Sequence, residues 1–187
     1  MMLSVRIHGR GGQGVVSAAE MLSIAAFLEG KHAQAVPSFG SERMGAPVVA
    51  FCRIDEKPIR LREPVLDPDA LIVQDPTLFH AIDVFAGLAA DGYLLVNTGR
   101  SIEELGIEKG VEHLPPGHVC RIPATEIAMK YVKRPVPNAV LLGALAAETG
   151  VIGIDSVIEA IQTKFPGPVG QANVTAAKAA YELAERA

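Results

Sequence analysis

The sequence predicts an α/β fold, and three observations predict it. An apolar run, Leu3 to Ile7, feeds into a glycine-rich turn, Gly9 to Gly14, and then into a helical stretch, Val15 to Leu28. Strand-like and helix-like segments alternate along much of the 187 residues, the pattern of helices packed on a largely parallel sheet. Hydrophobic residues make up 49% of the chain, while aromatics are 5% and Trp is absent. The core is therefore built from Ala, Val, Leu and Ile, which suits parallel-type strands under Ala-rich helices. Together these predict a Rossmann-like three-layer sandwich with a mostly parallel, mixed sheet and a helical C-terminal portion. The length accommodates one sizeable core. No internal repeat or low-complexity linker interrupts it, so residues 1–187 read as a single domain.

Leu3 to Ile7 is the first strand. The helix after the glycine turn is apolar on most sides, at Val15, Val16, Ala19, Leu22, Ile24, Ala26 and Phe27, so it is expected to be covered on more than one face. A short strand, Ala33 to Val36, comes next, then a polar turn, Pro37 to Pro47, and a Val- and Phe-containing strand, Pro47 to Ile54. Asp55-Glu56-Lys57-Pro58 predicts a hairpin turn into a strand at Ile59 to Leu61. Ala70 to Gln74 is a buried strand, ended by Asp75-Pro76, which also starts a helix running to about Ala90. Tyr93 to Asn97 is a further strand and Ser101 to Leu105 a helical turn. Pro115-Pro116-Gly117 turns the chain into a last strand, His118 to Ile122.

Beyond Ile122 only helices are expected. The first is Ala124 to Tyr131. The second is Asn138 to Glu148, with Pro137 near its start and Gly150 as its stop. A third is opened by the capping box Ser156-Val157-Ile158-Glu159 and ends near Pro166. The last, Gln171 to Glu185, carries an outer Glu182–Arg186 pair.

Composition excludes several functions. The net charge of −4 leaves no basic stripe to neutralise phosphates, so nucleic acid is not an expected partner. The two cysteines, Cys52 and Cys120, cannot by themselves ligate a cluster or a structural zinc, and His32, His80, His113 and His118 show no metal-ligand spacing; His8, before the glycine turn, has no recognisable carboxylate partner for a base and reads as a packed histidine. No metal site is expected in this chain. No secretory signal and no membrane-length apolar run are visible, so a soluble cytoplasmic protein, free of the membrane, is the expectation.

The glycine turn is the candidate site. A strand, a glycine-rich turn and a helix in that order aim backbone N–H groups outward at the positive end of a helix dipole, which makes an anion cradle. Gly9, Gly11 and Gly14 match G-x-G-x-x-G, a spacing that tight packing turns also use. A dinucleotide reading wants an acidic residue at the end of the second strand, and Val36-Pro37-Ser38 offers none. A Walker-type loop is excluded because Gly-Lys-Ser/Thr is missing. Two readings remain: a cradle for another anion, or a glycine turn pressed against another chain.

A second segment, Ser38 to Pro47, contains Phe39 and sets the charged pair Glu42 and Arg43 between Gly40 and Gly45, as functional loops often do. If the second strand lies beside the first, both loops leave at the carboxyl ends of strands, where open α/β sheets bind ligands. Arg10 and Arg43 would then meet an anion such as a phosphate. No nucleophile with a base and no paired carboxylates are recognisable, so no catalytic residue is assigned.

Three segments carry a family resemblance. Gly9-Arg10-Gly11-Gly12-Gln13-Gly14-Val15-Val16-Ser17-Ala18-Ala19-Glu20 resembles the opening of the gamma subunit of 2-oxoacid:ferredoxin oxidoreductases, such as pyruvate:ferredoxin oxidoreductase. Ser38-Phe39-Gly40-Ser41-Glu42-Arg43-Met44-Gly45-Ala46-Pro47-Val48 is similar to that family's second signature, and Asn138-Ala139-Val140-Leu141-Leu142-Gly143-Ala144 to its third. Met44 departs from the second arginine or glycine of many members. The resemblance implies a supporting role in a multisubunit enzyme that is inactive as a lone chain. Such enzymes oxidise a 2-oxoacid on thiamine diphosphate and Mg, pass electrons through iron–sulfur clusters to ferredoxin, and form an acyl-CoA. The alpha, beta and delta subunits hold the thiamine diphosphate and the clusters.

This chain would help receive coenzyme A and bind no cofactor alone. Gly9, Gly11, Gly12, Gln13 and Gly14, with Phe39 and Gly40, would form the loop walls. Arg10 and Arg43 would supply charge, and Glu42 would orient Arg43. Pyruvate is the expected oxoacid, with phenylglyoxylate or another aryl or branched 2-oxoacid as the alternative. A non-catalytic assembly subunit and a stand-alone nucleotide-dependent oxidoreductase are the readings of other classes.

Overall fold

A computed structural model describes residues 1–37 and 43–186. Six strands form one sheet: β1 (Leu3–Arg10), β2 (His32–Pro37), β3 (Pro47–Asp55), β4 (Ala70–Val73), β5 (Tyr93–Asn97) and β6 (Val119–Ile122), in the spatial order β2-β3-β1-β4-β5-β6. β1, β4, β5 and β6 run parallel, while β3 is antiparallel to both of its neighbours, β1 and β2. The sheet is therefore mixed, as expected. Its antiparallel part is made by β3, not by a strand at 59–61, where the backbone forms no strand. Both edges of β3 are already paired, so a further hairpin strand has no ladder to join.

The helices are α1 (Val15–Leu28), the one-turn α2 (Ile102–Leu105) and α3 (Glu108–Val111), then α4 (Ala124–Tyr131), α5 (Asn138–Thr149), α6 (Ile154–Lys164) and α7 (Pro168–Ala184). The pleat sends alternate residues to opposite faces. Val5 and Ile7 of β1, Ala50, Cys52 and Ile54 of β3, and Ile72 of β4 face α1 and α4 to α7 in the larger core. α1 packs against β2, β3, α5 and α6, which is the many-sided cover that its apolar surface required.

Leu71, Val73, Leu94 and Val96 face the other way, onto Leu78, Val84, Leu105, Ile107 and Leu114. This third layer is thin, made of short helices and irregular chain. The helix expected from Asp75 to about Ala90 is only a 3-10 turn, Pro76–His80, followed by irregular backbone. The carbonyls of Val84 and Ala86 accept hydrogen bonds from the Arg6 guanidinium, at 2.9 and 2.6 Å, instead of from N–H groups of a continuing helix.

α6 starts three residues earlier than its capping-box motif implied. Its N-cap is Gly153, whose N–H donates to Glu29 at the end of α1 at 2.6 Å. Contact with α1 thus sets the helix start, and Ser156 sits inside the first turn. The Glu182–Arg186 pair is present at 3.9 Å and exposed. Cys52 and Cys120 are both buried and reduced. Among the described residues no helix is long and apolar enough to cross a membrane.

Candidate functional site

β1 ends at Arg10, and its antiparallel register with β3 sets Arg10 opposite Pro47, the first residue of β3. The β2–β3 connection therefore returns to the carboxyl end of β1, although β2 itself is not the neighbour of β1. The two loops meet by a different topology from the adjacency that the sequence suggested. Gly11 N–H donates to the Ala46 carbonyl at 2.9 Å, and Gly45 N–H to the Gly11 carbonyl at 3.1 Å. A Cβ on Gly11 would stand 2.2 Å from the Arg43 carbonyl oxygen. Only glycine permits that approach.

Gly14 is the N-cap of α1, with φ 72°, and no side chain caps the helix. The first turn of a helix leaves N–H groups without intrahelical partners. Here it faces a cleft of about 240 Å³ bounded by Arg10, Gly11, Gly12, Ser17 and Val48. Asn138 steadies the turn from α5 by donating to the Gly14 carbonyl at 3.2 Å. A larger cavity, about 390 Å³, lies at the opposite end of the parallel strands and is rimmed by Asp55, Glu56, Asp69 and Asp91. Lys31 and Met1 line it too, but the four carboxylates leave the rim net acidic, so the phosphate argument stays with the glycine loop despite the smaller volume.

The remaining predicted residues divide. Gln13 joins the loop to β4: its Oε1 accepts from Arg10 N–H at 2.7 Å, and its Nε2 donates to Asp75 at 2.9 Å. Arg10 is turned onto its own chain, donating to the Thr77 hydroxyl at 3.0 and 3.2 Å and to the Gly45 carbonyl at 3.1 Å. Arg43 is exposed at the end of the second loop. Phe39, Gly40 and Glu42 lie outside the described residues.

Asp75 is the residue that sequence reasoning missed. Its place beside Pro76 marks a strand stop and helix start, and a ribose acid is looked for at the end of β2. The parallel neighbour of β1 is β4, and Asp75 follows its end. Its Oδ1 accepts from the Thr77 N–H at 3.0 Å and the Thr77 hydroxyl at 2.6 Å. Oδ2 accepts from Gln13 and lies 3.4 Å from Arg10 Nε. Burial raises its pKa, but the bonds from Thr77 and Gln13 and the Arg10 charge outweigh burial and hold it below the ordinary carboxylate range. A carboxylate so engaged is not available to a ribose diol.

Beneath the site, on the thin side of the sheet, His8 is 4% exposed. Its Nε2 accepts from Arg6 Nε at 3.0 Å, which places the proton on Nδ1. Among the described residues Nδ1 has no partner. Burial first, and the Arg6 charge second, pull its pKa from 6.5 to about 4. The folded chain thus holds this histidine neutral where the unfolded chain protonates it. The resulting stability is complete above about pH 6.5 and is lost as the pH falls to about 4, by about 3 kcal/mol. His8→Gln, which keeps an acceptor for Arg6, is expected to remove that loss. Urea titrations of both proteins at pH 7 and pH 4.5 check it, and parallel declines would exclude His8 as the cause.

Comparison with known proteins agrees with this fold and gives the family. The model of the pyruvate ferredoxin/flavodoxin oxidoreductase family matches residues 4–183. The pyruvate/ketoisovalerate oxidoreductases common subunit gamma of Pyrococcus furiosus is 49% identical over 184 residues, covering 98% of each chain. The solved pyruvate oxidoreductase subunit PORC of Thermotoga maritima superimposes with a TM-score of 0.80 at 39% identity, covering 97% of this chain and 96% of that one. A 2-oxoglutarate:ferredoxin oxidoreductase from Magnetococcus marinus shares the fold, with a TM-score of 0.75 at 19% identity, within 31% of its longer chain. The chain belongs to the pyruvate ferredoxin/flavodoxin oxidoreductase family, as a gamma subunit.

Proposed function

We propose that this gamma subunit serves a thiamine diphosphate-dependent complex that converts a 2-oxoacid, in the first place pyruvate, and coenzyme A to an acyl-CoA, CO2 and reduced ferredoxin. In that complex the glycine loop forms a wall of the coenzyme A region. One observation carries the reading: the first turn of α1, opened by Gly14 without a side-chain cap, faces a cleft whose edge is joined to the second loop through Gly11, Gly45 and Ala46. Backbone N–H groups at a positive helix end suit a phosphate, and coenzyme A carries several. Coenzyme A supplies the thiol that takes the acyl group. Gly12, Gly14 and the first turn of α1 bind and orient its phosphates, Gly11 ties that edge to the second loop, and the exposed Arg43 adds charge at the rim.

The two cysteines of this chain do not fit an iron–sulfur cluster. Burial pushes the Cys52 thiol up to about 12, and burial with Glu148 nearby raises Cys120 as well. Neither suits a cluster, whose ligands are thiolates. Thiamine diphosphate, Mg and the clusters are assigned to alpha, beta and delta subunits. The Pyrococcus furiosus relative is named as common to pyruvate and ketoisovalerate enzymes, which supports placing the choice of oxoacid in those other subunits.

In the assembled enzyme, Arg43→Ala is expected to raise the apparent KM for coenzyme A about tenfold with kcat little changed, the loss of one charge-assisted contact. An unchanged KM in a normally assembled complex would sink the coenzyme A assignment.

A further inference from the structure

We infer that Asp75 is a positioning residue for the glycine loop: an anion that prepares an anion site. The inference takes its ligand from the coenzyme A reading above, but its geometry stands apart from it. Asp75 Oδ2 holds Gln13 Nε2 at 2.9 Å and faces Arg10 Nε at 3.4 Å. Thr77 fastens both sides, donating its hydroxyl to Asp75 Oδ1 and accepting from Arg10 Nε and a terminal Arg10 nitrogen. Gln13 is then held at every polar atom. Its Oε1 takes the Arg10 N–H, its carbonyl takes Gln74 Nε2 at 2.6 Å, and its own N–H closes onto the Arg10 carbonyl at 3.1 Å.

The effect is to fix the turn between Arg10 and Gly14 from the end of β4. Because Arg10 is drawn onto Asp75, Thr77 and the Gly45 carbonyl, the cleft at α1 is left to backbone N–H groups. Simple electrostatics assigns Asp75 the opposite role, since a carboxylate near a phosphate repels it and occupies an arginine that would otherwise bind it. The two accounts differ in sign.

Asp75→Asn separates them. Asparagine keeps Oδ1 for the Thr77 N–H, so the local cap survives. It places an NH2 group where the Gln13 Nε2 donor already points, and it removes the charge that Arg10 Nε faces at 3.4 Å. The clamp fails, and the apparent KM for coenzyme A in the assembled enzyme is expected to rise at least about tenfold. Amides of Gly11 to Gly14 in the unliganded protein are expected to exchange with solvent faster. The double variant Gln13→Glu with Asp75→Asn restores donor against acceptor. One oxygen of the introduced carboxylate takes the Arg10 N–H and the other takes the introduced amide, with the net charge unchanged. The double variant is expected to return KM to within about threefold of wild type and to slow the loop amides again.

An Asp75→Asn enzyme that binds coenzyme A as well as wild type, with loop exchange unaltered, overturns the inference. Tighter binding would establish the electrostatic account instead. A double variant that fails to slow the loop amides also overturns it. Loop exchange that moves in both directions as expected, with KM unmoved throughout, upholds the clamp and rejects the coenzyme A reading.

Discussion

Arg6→Leu is expected to destabilise the fold by about 4 kcal/mol, the largest effect of any single replacement considered for this chain. Arg6 is 7% exposed and sits on the thin side of β1. Its guanidinium donates to the carbonyls of Val65, Leu66, Val84 and Ala86, and its Nε donates to His8. Those carbonyls belong to irregular chain, which has no ladder to satisfy it. Leucine would leave the carbonyls of the buried Val65 and Val84 without donors, and each orphaned acceptor costs about 1–3 kcal/mol where water cannot reach it. Lysine keeps the charge but offers one nitrogen in place of a planar fork, so Arg6→Lys should recover only part of the loss. Urea denaturation of the three proteins measures this. A loss below about 1 kcal/mol would show that water replaces the guanidinium.

Gly143→Ala is expected to cost about 2 kcal/mol, against the sign that helix propensity gives. In an exposed helix the change would gain up to about 1 kcal/mol. Here α5 and α7 approach so closely that an alanine Cβ would stand 2.1 Å from the Ala177 carbonyl oxygen and 3.0 Å from Ala177 Cα. The obstacle is backbone, which cannot rotate aside as a side chain does. The two helices must separate, and the packing of Val140, Leu141, Leu145 and Val174 in the larger core loosens with them. Thermal or urea unfolding gives the sign directly. A stabilised variant would show that the interhelical spacing relaxes without loss.

Much of this architecture is legible in the sequence where local chemistry decides it. The run from Leu3 through Leu28 reads as strand, turn and helix because its apolar pattern and its glycines change at the same points. Gly150 after α5 ends a helix for a local reason, its left-handed backbone. What stays hidden depends on distant partners. Nothing within Ile59 to Leu61 reveals that both edges of β3 are taken. Nothing within Pro76 to Ala90 reveals that Arg6, from the first strand, claims two of its carbonyls. The capping box at Ser156 is a true local preference overruled by Glu29.

The candidate site divides in the same way. The glycine loop is found from spacing, and its contact with residues 43–46 is expected from loop chemistry. The route differs, because strand order cannot be read from chain order: β3, not β2, lies against β1. Asp75 goes unrecognised for that reason. Chain order points to the end of the next strand for an acid, whereas the parallel neighbour in space is β4.

The register between β1 and β3 has a consequence for inheritance. Because β3 begins opposite the last residue of β1, both loops and the clamp are drawn from one continuous stretch, Gly9 to Thr77, with Asn138 reaching in from the later half. A chimera of two gamma chains joined after Thr77 would keep the loop, its partner and its clamp from one parent, and would mix parents at the Asn138 contact with Gly14 and the Asn97 contact with the Gln74 carbonyl. A junction between β3 and β4 would pair the loops of one parent with the Asp75 of the other, so recombination there tests their compatibility while leaving every secondary-structure element whole.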